Sequence, residues 1–246
     1  MSETKQIFVA EIFGPTIQGE GPNVGIKTLF VRVAGCDFKC DWCDSKFAWS
    51  TENAMRFEPK GLAQNLLLKC WSTHTKHVIL TGGNPCIYDF TKVIKILHSN
   101  DITVDVETQG SIYPDWLAHL DTIVISPKAP SSKMPDVYAK LDEYLKCSYT
   151  GNRLIVKIPI FNDEDFQFAE KYYKLISEYR KLGSLYEDID LYLSVGNDDV
   201  KEEGDISNRI LNSYRNLIEK VSTSDMERVF VLPQVHTLVW GNKQGV

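Results

Sequence analysis

Three of the chain's six cysteines fall within eight residues, as Cys36, Cys40 and Cys43 in the run Gly35-Cys-Asp-Phe-Lys-Cys-Asp-Trp-Cys-Asp-Ser45. Spacings of four and three let one loop wrap its thiolates around a single compact, soft metal centre. Zinc would ordinarily take a fourth Cys or His nearby, and the candidates Cys70 and His74 stand about thirty residues on, without finger-like spacing. A four-iron cluster on three thiolates leaves one iron open to a further ligand, which is a reactive arrangement. About forty residues later comes Thr81-Gly-Gly-Asn-Pro85, where glycines would let a ligand approach the backbone without meeting a Cβ. Cys70, Cys86 and Cys147 read as ordinary thiols rather than ligands, and His74, His77, His98 and His119 as structural or surface residues.

Such loops need strands to hold them. Seven short β-branched runs recur, over 29–34, 77–81, 103–107, 122–126, 153–160, 190–195 and 228–232. Their near-continuous apolar character fits strands covered on both faces, as in a parallel sheet. Helical spacing appears over 61–71, 88–99, 166–182 (preceded by the acids of Asn162-Asp-Glu-Asp165) and 209–221. Strands alternating with helices imply right-handed βαβ units and a site at the carboxyl ends of the strands. Gly35-Cys36, Thr81–Pro85, Glu107-Thr-Gln-Gly110, Ser126-Pro-Lys128 and Gly196-Asn-Asp-Asp199 follow those ends. The expected fold is α/β, an incomplete barrel of about six parallel strands forming one domain over 1–246.

The bulk numbers set limits. A chain of 246 residues with 43% hydrophobic residues buries an ample core. Its net charge of −6 lacks the basic field of a nucleic-acid binder, although a local basic pocket for a small anion stays open. No apolar run approaches the ~20 residues of a membrane helix, and Met1-Ser-Glu-Thr-Lys-Gln-Ile7 has no signal-like segment. A reducing, cytoplasmic setting is therefore expected, with clustered thiols on metal rather than in disulfides.

The C-x3-C-x2-C triplet is the signature of the radical S-adenosylmethionine (SAM) superfamily, and Gly82-Gly-Asn-Pro85 resembles its GGEP motif, with Asn84 where Glu is commoner. Within the superfamily, Glu11-Ile-Phe-Gly-Pro-Thr-Ile-Gln-Gly-Glu-Gly21, Cys43-Asp-Ser45, Glu107–Gly110, Ser126–Lys128 and the closing Pro233-Gln-Val-His-Thr-Leu-Val-Trp-Gly-Asn-Lys-Gln-Gly-Val246 resemble the 7-carboxy-7-deazaguanine synthase family over nearly the whole chain. The resemblance implies a 4Fe-4S cluster on Cys36, Cys40 and Cys43, whose open iron chelates SAM, and cleavage of SAM to methionine and a 5′-deoxyadenosyl radical. It implies ring contraction of 6-carboxy-5,6,7,8-tetrahydropterin to 7-carboxy-7-deazaguanine with loss of ammonia, in queuosine biosynthesis. It also implies Mg2+, a flavodoxin or ferredoxin reductant and a homodimer. A radical SAM activase of a glycyl-radical enzyme shares the triplet but leaves Gln18-Gly-Glu-Gly21 unexplained; a non-catalytic iron–sulfur or zinc module is the third reading.

Residue by residue, the resemblance places Ile17, Gln18, Gly19, Arg32, Thr81, Gln234 and His236 at the substrate, with Arg32 suited to a carboxylate. Glu20 either accepts hydrogen bonds from the pterin's guanidine-like edge or is solvated. Ser45 is the expected Mg2+ ligand, one hydroxyl supplemented by substrate oxygens and water. Trp42, Cys43, Asp44, Gly83, Ser126, Pro127 and Lys128 match SAM-contacting segments, and Val195, Gly196, Asn197 and Asp198 occupy a later one. The closing segment is expected to fold over the pocket.

Overall fold

The structure is a computed structural model that describes residues 6–145, 152–183, 188–197, 199, 202 and 204–245. Among them nine strands form one sheet: β1 (Ile7–Ile17), β2 (Lys27–Val33), β3 (Met55–Phe57), β4 (His77–Gly82), β5 (Thr103–Thr108), β6 (Thr122–Ile125), β7 (Arg153–Ile160), β8 (Asp190–Val195) and β9 (Val229–Leu232). The helices are α1 (Pro59–Thr73), α2 (Thr91–His98), α3 (Leu141–Leu145), α4 (Asp163–Arg180), α5 (Ser207–Ser222) and α6 (Val235–Trp240). The strand order is β3-β1-β2-β4-β5-β6-β7-β8-β9. From β2 to β9 every neighbouring pair is parallel. β1 pairs antiparallel with β2 and with β3. The sheet stays open, with β3 and β9 at its edges.

All seven expected strands are present, so the parallel set is one larger than the expected six. β1 and β3 are additional. The parallel strands are covered on both faces, as their composition requires: Val78, Ile79 and Leu80 of β4 are all at most 2% exposed. α2 buries Val93, Ile94 and Leu97, one face at helical spacing. α4 starts a turn earlier than the apolar pattern predicts, because Asn162 caps it through Asp165 N–H at 3.0 Å and three acids occupy its first turn. Among the described residues no helix is long and apolar enough to cross a membrane.

The two ends of the parallel strands are built differently. At the amino ends, Thr28 Oγ1 and His77 Nδ1 lie 2.7 Å apart, and His77 Nε2 lies 2.7 Å from Asp105 Oδ2. All three residues are buried, so this closed chain plugs the base and accounts for His77. The carboxyl ends instead open into a cavity.

Candidate active site

That cavity holds about 300 Å³ and is lined by residues after β2, β4, β5, β6, β8 and β9. Cys36, Cys40 and Cys43 lie on its wall. Phe38, Met134 and Val137 wrap them, and Asp41 N–H donates to Ser132 O at 3.1 Å to hold the loop. Burial pushes all three thiols up, Cys40 to about 11 against the pull of the Lys128 ammonium. A metal centre favours the thiolate form that burial penalises. Lys128 donates to Ser126 Oγ at 3.1 Å and lies 5.6 Å from the Trp42 ring centre, with its own pKa lowered chiefly by burial. Three sulfurs in an apolar wrap with a half-buried cation nearby suit an anionic iron–sulfur cluster.

Gly83 has a physical reason other than ligand access. A Cβ there would stand 2.0 Å from Gly35 O, because Gly83 N–H donates to Val33 O and Asn84 N–H to Gly35 O, each at 2.9 Å. The two strand-end loops are laced backbone to backbone. Gly35 leads directly into the cysteine loop, so this lacing also places the thiolates.

A buried charge network lies in the same cavity. Lys157 of β7 bonds Glu20 and lies 3.5 Å from Glu107 Oε1. Gln18 Nε2 donates to Glu107 Oε1 at 3.1 Å, Thr81 Oγ1 to Glu107 Oε2 at 3.2 Å, and Gln234 to Glu20. Glu20 is thus paired rather than solvated. Burial raises its carboxyl, and Lys157, His236 and hydrogen bonds from Lys157 and Gln234 more than reverse this, leaving it at about 2. Burial lowers the Lys157 ammonium, but Glu107 and Glu20 outweigh it and hold the pKa above its ordinary value.

Stability that Glu20 draws from this pair is fully present above its ordinary pKa of 4.5 and is lost as pH falls through about 2. Lys157→Met, which leaves two carboxylates facing each other, should cost about 3–5 kcal/mol at neutral pH. The deficit should shrink on acidification below pH 4.5 as the carboxylates protonate. Urea denaturation of wild type and variant at pH 7 and pH 4 checks this; a deficit independent of pH would contradict it.

Arg32 is held on two sides. Its Nε donates to Glu11 Oε1 at 2.7 Å and its Nη1 to Ser45 Oγ at 2.7 Å, while its guanidinium lies 5.2 Å from the Phe13 ring centre. Ser45 Oγ in turn donates to Asp44 Oδ1 at 2.9 Å. The hydroxyl therefore keeps one lone pair, beside a carboxylate, for a hard cation.

The closing segment lies against the cavity. Val235 N–H donates to Gly19 O at 3.0 Å and Gln244 Nε2 to Asp44 O at 3.3 Å, and a Cβ on Gly19 would stand 2.5 Å from His236 Nδ1. Of the anticipated residues, Ile17, Gln18, Gly19, Glu20, Arg32, Trp42, Cys43, Asp44, Ser45, Thr81, Gly83, Ser126, Lys128, Gly196, Asn197, Gln234 and His236 all line it. Pro127 is buried off the lining. Val195 is 2% exposed in the core. Asp198 and Cys147 lie outside the described residues. Cys70 and Cys86 belong to the main core. Lys157, Trp49 and Phe161 line the cavity without having been anticipated, while Glu107 and Gln109 come from the expected strand-end segment Glu107–Gly110, to which no individual role was assigned. For Lys157 a signal existed: a charge inside the apolar run Leu154-Ile-Val-Lys-Ile158.

Comparison with known proteins agrees with this geometry. Residues 17–111 match the model of a 4Fe-4S single cluster domain. The crystal structure of QueE from Escherichia coli has the same fold, with a TM-score of 0.65, 20% identity, and coverage of 94% of this chain and 95% of that one. Streptococcus suis SuiB bound to S-adenosylmethionine shares it more distantly, with a TM-score of 0.51, 13% identity, and coverage of 82% and 46%. The fold and its thiolate loop thus define a parallel α/β protein whose cysteine loop, at the strand ends, falls in a segment matching a 4Fe-4S single cluster domain. The 7-carboxy-7-deazaguanine synthase of Bacillus subtilis (strain 168) is 43% identical over 251 residues, 98% of this chain and 99% of that protein. The chain belongs to the 7-carboxy-7-deazaguanine synthase family.

Proposed function

We propose that the chain, as one domain over 1–246 acting in the cytoplasm, converts 6-carboxy-5,6,7,8-tetrahydropterin to 7-carboxy-7-deazaguanine and ammonia, in queuosine biosynthesis. The observation that carries this is a single cavity containing both an oriented guanidinium and a buried carboxylate–ammonium–amide network. A pterin carboxylate needs the first, and the donor-rich pyrimidine edge of the ring needs the second. Cys36, Cys40 and Cys43 would hold the cluster, which with SAM bound would supply the one electron that cleaves SAM to methionine and a 5′-deoxyadenosyl radical, the agent for hydrogen abstraction. Arg32 takes the substrate carboxylate, and Glu107 and Glu20 accept from the ring edge. Gln18, Gly19, Thr81 and Ile17 shape the wall, while Gln234 and His236 close it and exclude water. Trp42, Asp44, Gly83, Ser126, Lys128, Gly196 and Asn197 surround SAM. Anaerobic incubation with the pterin, SAM, Mg2+ and reductant should yield a product lighter than the substrate by one ammonia; its absence from iron-loaded protein would refute the assignment.

Ser45 holds Mg2+ only together with substrate, since one hydroxyl cannot retain the ion alone. Magnesium should then tighten pterin binding, and pterin should tighten magnesium by the same factor. Titration calorimetry of Ser45→Ala should show this coupling weakened with the cluster's visible spectrum unchanged, and Ser45→Thr should retain it. An undiminished magnesium effect in the alanine variant would remove Ser45 from the site. Electrons come from a flavodoxin or ferredoxin. A homodimer is supported by Phe230 on edge strand β9 and Trp240, 40% and 39% exposed; sedimentation of Phe230→Lys as a monomer is the expected result.

A further inference from the structure

One side chain unused above points an N–H group at a cysteine sulfur. Gln109, 4% exposed, lies just past the end of β5 and directs Nε2 at Cys36 Sγ, 3.9 Å away. It is not free to turn away. Gln109 Nε2 also donates to Asp37 Oδ1 at 2.6 Å, and the same oxygen accepts from Asn84 Nδ2 at 2.8 Å. Asn84 is fully buried and committed at both ends of its amide: Nδ2 also donates to Ser111 Oγ at 3.1 Å, and Oδ1 accepts from Cys86 N–H at 3.1 Å and Thr108 Oγ1 at 2.9 Å. A Glu at position 84 would bring Asp37 a second negative charge instead of a donor, so Asn here belongs with Asp37.

We infer that Gln109 is a positioning residue that sets the cluster's reduction potential by donating a side-chain N–H group to the sulfur of Cys36. Reduction adds an electron whose density spreads onto the cluster thiolates, so a donor to sulfur stabilises the reduced form more than the oxidised one. The donor therefore raises the potential. The inference rests on Cys36 being a cluster ligand, and iron and sulfide content tests that reading by itself.

The experiment is a mediator titration with dithionite, followed by electron paramagnetic resonance, on iron-loaded wild type, Gln109→Leu and Gln109→Met. Gln109→Met keeps an unbranched side chain of similar length and removes the N–H. At a fixed solution potential, each variant should show a ratio of reduced to oxidised cluster lower by roughly two- to tenfold, the worth of one hydrogen bond. A tenfold change corresponds to about 59 mV for one electron. If Gln109→Leu does not retain iron, Gln109→Met decides alone. A potential equal to or more positive than wild type in an iron-replete variant overturns the inference, as does loss of iron from both variants, which would make Gln109 structural.

Discussion

Cys40→Ala is expected to purify without iron and to form no 5′-deoxyadenosine above background. On the proposed assignment three thiolates are the full protein share of the 4Fe-4S cluster, and two cannot hold it against solvent and reductant. Cys40 makes the sharpest test because it is the most buried of the three, 7% exposed beneath Phe38 and Val137, where no nearby water would replace its sulfur as ligand. Those residues form a small cluster apart from the main core, so the loss of one sulfur should leave the fold intact. Iron should fall from about four per chain to near zero, with the broad visible absorption lost and the far-ultraviolet circular dichroism preserved. Cys70→Ala serves as the contrast: its thiol lies in the main core on α1, so the variant should lose some stability and keep its iron. Normal iron and normal SAM cleavage in Cys40→Ala would end the cluster assignment.

The parallel strands were legible because burial on both faces leaves a mark in composition: runs such as Leu29–Ala34 and His77–Thr81 admit few polar residues. β1 left no such mark. Its eleven residues carry Gly14-Pro15 and a register shift between Phe13 and Thr16, so alternation breaks where a strand pattern would be sought. β3, three residues long, is below what periodicity can detect. In the site, the loops could be placed from the strand ends they follow, whereas the pairings across the cavity could not. Lys157 was visible as a charge in an apolar strand, yet its partners Glu20 and Glu107 come from segments that only the folded chain brings beside β7. Gly83 shows the same limit. Its type was informative, but the atom that excludes a Cβ is the carbonyl of Gly35, known only once β2 and β4 are paired.

Arg32→Ala should weaken pterin binding about 30- to several-thousand-fold while leaving SAM binding near normal. The range follows from the roughly 2–5 kcal/mol lost when one partner of a buried, charge-assisted pair is removed, at about 1.4 kcal/mol per decade. The geometry favours the upper part of that range, because the guanidinium is already oriented before substrate arrives. Glu11 engages Nε and Ser45 engages Nη1, so the carboxylate meets a cation with little rotamer freedom left to lose. Its side chain is 17% exposed, which limits screening by water. Arg32→Lys keeps the charge but gives up the planar fork, so it should fall between wild type and alanine. A purely structural Arg32 predicts something different: removing it would strand Glu11 and loosen the contact between β1 and β2, and SAM and pterin binding would fall together. Calorimetric titration of each ligand against both variants separates the two accounts, and equal losses for SAM and pterin would take Arg32 out of the substrate site.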